Sequence, residues 1–193
     1  MKPTLLKSRI YLGIAAAIVA VWVGFLMFGL AAVFFFSDSS NKFQKPNYVS
    51  EELGLSFSYP KSYTLTTRHD SFRGTEIHVL TFINASTTIP DMSEGPTAIS
   101  VIGIPVPENT NLEQWVRGAS ISNFNLSPDK TFSQTTVDGE EAVAYRHTGL
   151  YESDAVAVKH DGKIFIFAGS WMDMEDAIRT DFKNLVLSVK FIE

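Results

Sequence analysis

The sequence contains no cysteine among its 193 residues. That excludes disulfides, thiolate metal sites, cysteine nucleophiles and lipid attachment through a cysteine, and it leaves the redox compartment open. A Gly-x-Ser-x-Gly elbow, a phosphate-binding glycine loop, a dinucleotide fingerprint and a His-Glu-x-x-His helix are all missing. The common catalytic templates are therefore absent, although a triad assembled from distant positions leaves no local signature. Positive charge is also scarce. Three of the 16 basic residues, Lys2, Lys7 and Arg9, stand near the start, leaving 13 basic against 21 acidic residues in the rest of the chain and a net of −8. Such a domain is repelled by phosphates, so nucleic acid and electrostatic adsorption to anionic lipid are poor partners. There is no internal repeat and no low-complexity tract.

What is present first is a run of 27 uncharged residues from Ile10 to Phe36. As a helix it would rise about 40 Å, against a hydrocarbon core of about 30 Å. Tyr11 at one end and Phe34, Phe35 and Phe36 at the other suit the interfacial zones, and the basic residues before the run favour a cytoplasmic N-terminus. A cleaved signal peptide is the competing reading, with Gly29-Leu30-Ala31 as the cleavage site. However, the apolar run is much longer than the roughly 7 to 15 residues of a signal core and continues past that site. The expected organisation is a cytoplasmic segment 1–9, a single transmembrane helix 10–36, a linker 37–48 and an extracytoplasmic domain 49–193 at the cell membrane. Ala16, Ala20 and Gly24 recur every four residues and would line a face for helix pairing. The twelve linker residues have a root-mean-square reach of about 17 to 21 Å, so partners should be membrane proteins or ligands close to the lipid.

The remainder alternates strand and turn signals. Leu55, Phe57 and Tyr59 alternate with serines before Pro60, the pattern of a half-buried strand. Tyr63–Thr67 and Glu76–Ile83 read as strands joined by a polar loop His69–Gly74, Asn84–Pro96 as a long loop, and Thr97–Pro105 as strand. Asn111 is a suitable N-cap for a helix with Leu112, Trp115, Val116 and Ala119 on one face. Asp138-Gly139 and Asp161-Gly162 predict two tight hairpins, linking Thr131–Val137 to Glu141–Thr148 and Ala155–His160 to Lys163–Gly169. Ile164 to Ala168 is apolar at successive positions, so that strand should be central, with both faces covered by helices. A last helix should open at Asp173, with Glu175 and Asp176 in its first turn and Met174, Ala177, Ile178, Phe182 and Leu185 inward. A short strand, Ser188–Ile192, should follow. The fold class is α+β, a mainly antiparallel sheet flanked by helices.

The segment Leu53-Gly54-Leu55-Ser56-Phe57-Ser58-Tyr59-Pro60-Lys61-Ser62-Tyr63 resembles the opening of PsbP-like domains. The order that follows is similar too: a helix with Trp115, the hairpin at Val137-Asp138-Gly139, two paired strands, and a helix ending in Leu187-Ser188-Val189-Lys190-Phe191. The resemblance covers about residues 49 to 192 and implies an α-β-α sandwich. It implies a binding or accessory module rather than an enzyme, and it transfers no site residue.

Candidate chemistry is thin. His69, His78, His147 and His160 show no helical ligand spacing; strands could bring His78 and His147 together, but solvent-facing or core-edge histidines account for them as well. Glu140 and Glu141 flank a turn where charge keeps a hairpin soluble. No catalytic residue, metal site or cofactor is expected. Trp115, Phe124, Tyr151 and Trp171 lie in or beside connections and are the large residues placed to line a ligand or partner groove, with core packing as the alternative. The expected function is that of a membrane-anchored binding or accessory domain; a carrier of lipid or another apolar ligand is the alternative, and an enzyme without a recognisable motif the third.

Overall fold

The computed structural model describes residues 47–87 and 95–192. The run Ile10–Phe36, with Ala16, Ala20 and Gly24, lies outside them, as does the middle of the Asn84–Pro96 connection. Among the described residues no helix is long and apolar enough to cross a membrane.

Three two-residue turns organise the larger sheet. At Asp138-Gly139 both residues take positive φ (48° and 87°), and Asp161-Gly162 does the same (43° and 66°). These are the expected hairpins, joining β6 (Ser133–Val137) to β7 (Glu140–Thr148) and β8 (Glu152–His160) to β9 (Lys163–Trp171). The third turn, Arg73-Gly74 (53° and 81°), overturns the reading of His69–Gly74 as a loop. Strands β3 (Tyr63–Phe72) and β4 (Thr75–Asn84) instead run ten residues each up to that turn. The expectation failed for a physical reason: β3 is one of the sheet's two edge strands and is largely exposed from Thr64 to Ser71. An edge strand has no apolar face to advertise in its sequence.

With β5 (Ile99–Pro105), these form a seven-stranded sheet in the order β3-β4-β5-β9-β8-β7-β6, antiparallel at every pairing. Strand β9 is the middle one, as its unbroken apolar run predicted. Its side chains alternate between two cores: Phe165 and Phe167 face one layer, Ile164 and Ile166 the other. A second, three-stranded sheet, β1 (Tyr48–Ser50), β2 (Leu55–Phe57) and β10 (Lys190–Phe191), packs with helix α2 (Ala177–Ser188) on the phenylalanine side. Helix α1 (Leu112–Gly118) and two short 3₁₀ turns, Ser120–Ser122 and Phe124–Leu126, cover the isoleucine side. The Asn111 cap is present, its side-chain oxygen accepting from Gln114 N at 2.9 Å. The chain is thus an α+β protein built on a mainly antiparallel sheet.

The last helix departs from expectation at its start. It begins at Ala177, with Asp176 at the N-cap position. The Asp176 carboxylate turns back to accept from Met172 N (2.8 Å) and Asp173 N (3.0 Å), closing a turn ahead of the helix rather than capping it. These two backbone bonds hold its carboxyl below the usual range. Met174 and Ala177 are consequently exposed, and the buried face is Ile178, Phe182 and Leu185. Helix α2 comes very close to β9 at Gly169, where an added Cβ would lie 2.8 Å from Phe182 Cβ and Cγ.

Asp138 ties the layers together. Its carboxylate accepts from Lys190 Nζ and from Phe191 N at 2.9 Å, joining the β6–β7 turn to β10. Burial alone would raise this carboxyl, but the Lys190 and Phe191 bonds outweigh it and hold it low.

Candidate functional site

The four aromatic residues expected to line a groove do not converge. Trp115 packs, partly buried, against the core beneath α1 to which Phe124 belongs, and Phe124 is buried there, 5.5 Å from Tyr145 and 4.9 Å from the Arg117 guanidinium. Trp171 belongs to the opposite core. Tyr151 sits in the β7–β8 turn, its hydroxyl donating to Gly95 O at 2.8 Å. Packing and pinning, not groove lining, account for them. An open groove does exist beside α1, lined by Asn111, Leu112, Glu113, Gln134, Glu140 and Lys159, and none of the four lines it. Its wall is mixed, with Leu112, Ala142 and Val143 beside the polar groups, and Gln134 Nε2 donates to Glu113 Oε1 at 2.7 Å.

Glu140 and Glu141 both border this groove at the start of β7, though as consecutive strand residues they point to opposite faces of the sheet. Glu140 lies 3.2 Å from His160 Nδ1, and the His160 ring stacks on Phe191 at 4.0 Å. The suggested His78–His147 pairing does not form either. His78 shares its face of the large sheet with Leu80 and Phe82, whereas His147 shares the opposite face with Tyr145.

Around Trp171 the structure assembles an ionic clamp. The Arg146 and Arg179 guanidiniums stand 5.1 and 4.5 Å from the indole ring, and Asp154 joins them, 3.5 Å from Arg146 Nε and 2.8 Å from Arg179 Nε. This secures α2 to β7 and β8 through charge-assisted bonds and cation–π contact. Across the sheet, His147 is 7% exposed and its Nδ1 has no hydrogen-bond partner among the described residues. Burial pushes its pKa below the ordinary 6.5, and Asp154 opposes this only in part.

The sign of the resulting pH dependence is fixed. The unfolded chain protonates His147 near pH 6.5 while the folded chain resists, so stability falls as pH drops from about 6.5 through the lower folded pKa. Urea titrations at pH 7.5 and 5.5 should show this loss, and His147→Gln should make it smaller. An unchanged loss in the variant would place the titrating group elsewhere.

The corrected β3–β4 register produces a grouping that sequence spacing hid. His69 and His78 are direct cross-strand partners, their rings 4.4 Å apart. Paired residues in an antiparallel ladder share one face. Next to them, Glu76 Oε1 lies 2.8 Å from His69 Nδ1. Glu52 arrives from the turn between β1 and β2, and its Oε1 lies 3.5 Å from His78 Nε2. That turn is fixed by Gly54 at φ 72°, whose N–H donates to Ser50 O at 2.9 Å, and by Leu53 N donating to Ser50 Oγ at 3.1 Å. It sits close to the sheet because residue 103, opposite His78 on β5, is glycine. A Cβ there would lie 2.8 Å from Leu53 Cδ2. The signal available in the sequence was the Arg-Gly pair at 73–74, which sets His69 and His78 equidistant from a two-residue turn.

No known protein family matches the chain, and no curated protein does. Among solved structures, its fold is similar to the solution structure of cyanobacterial PsbP (CyanoP) from Synechocystis. The identity is 16% and the TM-score 0.48, over 81% of this chain and 98% of that one. It is also similar to a crystal structure from Bacteroides thetaiotaomicron, at 10% identity and TM-score 0.48, covering 78% of this chain and 49% of the other. The chain thus spans about half the length of the Bacteroides protein.

Proposed function

We propose that this chain is a membrane-anchored, extracytoplasmic binding or accessory module of PsbP-like α-β-α type, which acts by docking to a membrane-proximal protein rather than by catalysis. The basic residues before Ile10–Phe36 and the length of that run support the anchor and its orientation. The observation that carries docking is a set of apolar side chains left in solvent at one end of the large sheet. Leu150, Met172 and Met174 are 57%, 62% and 55% exposed. The register pairs Glu152 with Trp171, bringing the β7–β8 turn that carries Leu150 beside the exit of β9 at Met172, and Met174 follows two residues on. Methionine-bearing apolar patches adapt to a partner's surface, and neighbouring exposed apolar groups mark interaction sites.

The test is copurification from detergent-solubilised membranes with mass spectrometry. A specific membrane protein should accompany the wild-type chain and be lost from a Leu150→Lys/Met172→Lys variant that keeps its circular dichroism spectrum. Recovery of lipid alone would overturn docking and support a carrier instead.

A further inference from the structure

We propose that Glu52, His69 and His78 form a binding site for a divalent d-block cation such as zinc, with Glu76 as the residue that orients His69. The site is independent of the docking reading and lies on a different part of the domain. Its ligand atoms, one from each of the three residues, already fall within 4.8 Å of one another. Zinc holds imidazole nitrogen at about 2.0–2.1 Å and carboxylate oxygen at about 2.0–2.2 Å, so its ligands stand on the order of 3.3 Å apart. The Glu52–His78 separation of 3.5 Å is close to that spacing, and the remaining adjustment falls on the exposed side chains of Glu52 and His69. Glu52 is 65% and the His69 side chain 50% exposed, whereas His78 is 17% exposed and held on the sheet.

Glu76 supplies the feature that distinguishes this grouping from a chance surface cluster. A carboxylate accepts only, so in the neutral ring the 2.8 Å contact assigns the proton to His69 Nδ1 and leaves the lone pair on Nε2 for a metal. A carboxylate on the far nitrogen of a ligating histidine is the usual second support of a metal site, raising ligand basicity and fixing the ring. Two carboxylates also give the site a negative field, and residues 10–193 taken together carry a net charge of −8. Two nitrogens and one oxygen suit zinc, copper or nickel rather than calcium or magnesium, which prefer oxygen. Three protein ligands leave a fourth position open to water or to a donor from a partner.

The experiment is calorimetric titration of zinc chloride into the full-length, tag-free chain in detergent micelles after chelator treatment. One zinc per chain is expected. His69→Gln and His78→Gln should each abolish that saturable site, and Glu76→Gln should lower affinity by about 10- to 100-fold. His160→Gln should bind as wild type. Because His69 lies on an exposed edge strand, its variant should keep the wild-type circular dichroism spectrum, so loss of binding there is not loss of fold. Absence of saturable uptake by the wild-type chain, or wild-type affinity in both His69→Gln and His78→Gln, would overturn the proposal.

Discussion

Replacing Phe57 with alanine is expected to lower the unfolding free energy by about 3–5 kcal/mol, the range for removing a fully buried aromatic. Phe57 is 0% exposed and lies in β2, the middle strand of the small sheet. Its ring stacks on Tyr48 at 4.8 Å and meets Phe82 of the large sheet edge-on at 5.7 Å. One side chain therefore joins the strand where the described chain begins, the small sheet and the main core. The loss should reach β1 as well, because Tyr48 loses its stacking partner. Urea unfolding followed by circular dichroism should show a lower midpoint with an unchanged slope. A change below about 1 kcal/mol would mean that the small sheet contributes little to the folded domain, against the cost expected for a buried ring.

The second large effect concerns the approach of α2 to β9. Gly169→Ala should cost about 1–3 kcal/mol, because the new methyl has no room against the Phe182 side chain. Phe182→Ala should cost about 3–5 kcal/mol through the cavity it leaves. The two costs should not add. Truncating Phe182 beyond Cβ removes the contacts at Cγ and Cδ2 but leaves the 2.8 Å contact at Cβ, so part of the clash at position 169 is relieved and the double variant should be more stable than the sum predicts. Strict additivity would contradict the packing described for this pair.

The elements that could be read from sequence are those in which local chemistry and tertiary environment agree. Asp138-Gly139 and Asp161-Gly162 demand positive φ and receive it. Asn111 caps α1 through its own side chain. The run Ile164–Ala168 has both faces buried because it lies mid-sheet with a layer on each side. Where environment overrode the local signal, reading failed. Strand β3 at the sheet edge carries Thr, Arg, His and Asp where an interior strand would show apolar alternation. Acidic residues before α2 imitate a helix's first turn, but Asp176 spends its carboxylate on the preceding turn instead.

The candidate sites show the same division. Trp171 and Phe124 are next to connections in sequence yet buried in opposite cores, because a strand end and a 3₁₀ turn can be as deeply covered as a strand centre. The Glu52, His69 and His78 grouping depends on a register, a glycine at 103 and the shape of the β1–β2 turn. None of these is expressed in the spacing of the three residues. Helical spacing rules are blind to ligands brought together across strands.

Photo-crosslinking from position 172 in the full-length chain, carried out in intact native membranes, tests the docking claim most directly. A photoreactive residue replacing Met172 should give a discrete adduct with a membrane protein, and the same residue replacing Thr66 on edge strand β3 should not. Adducts with lipid alone, or equal protein adducts from both positions, would contradict a docking surface formed by Leu150, Met172 and Met174.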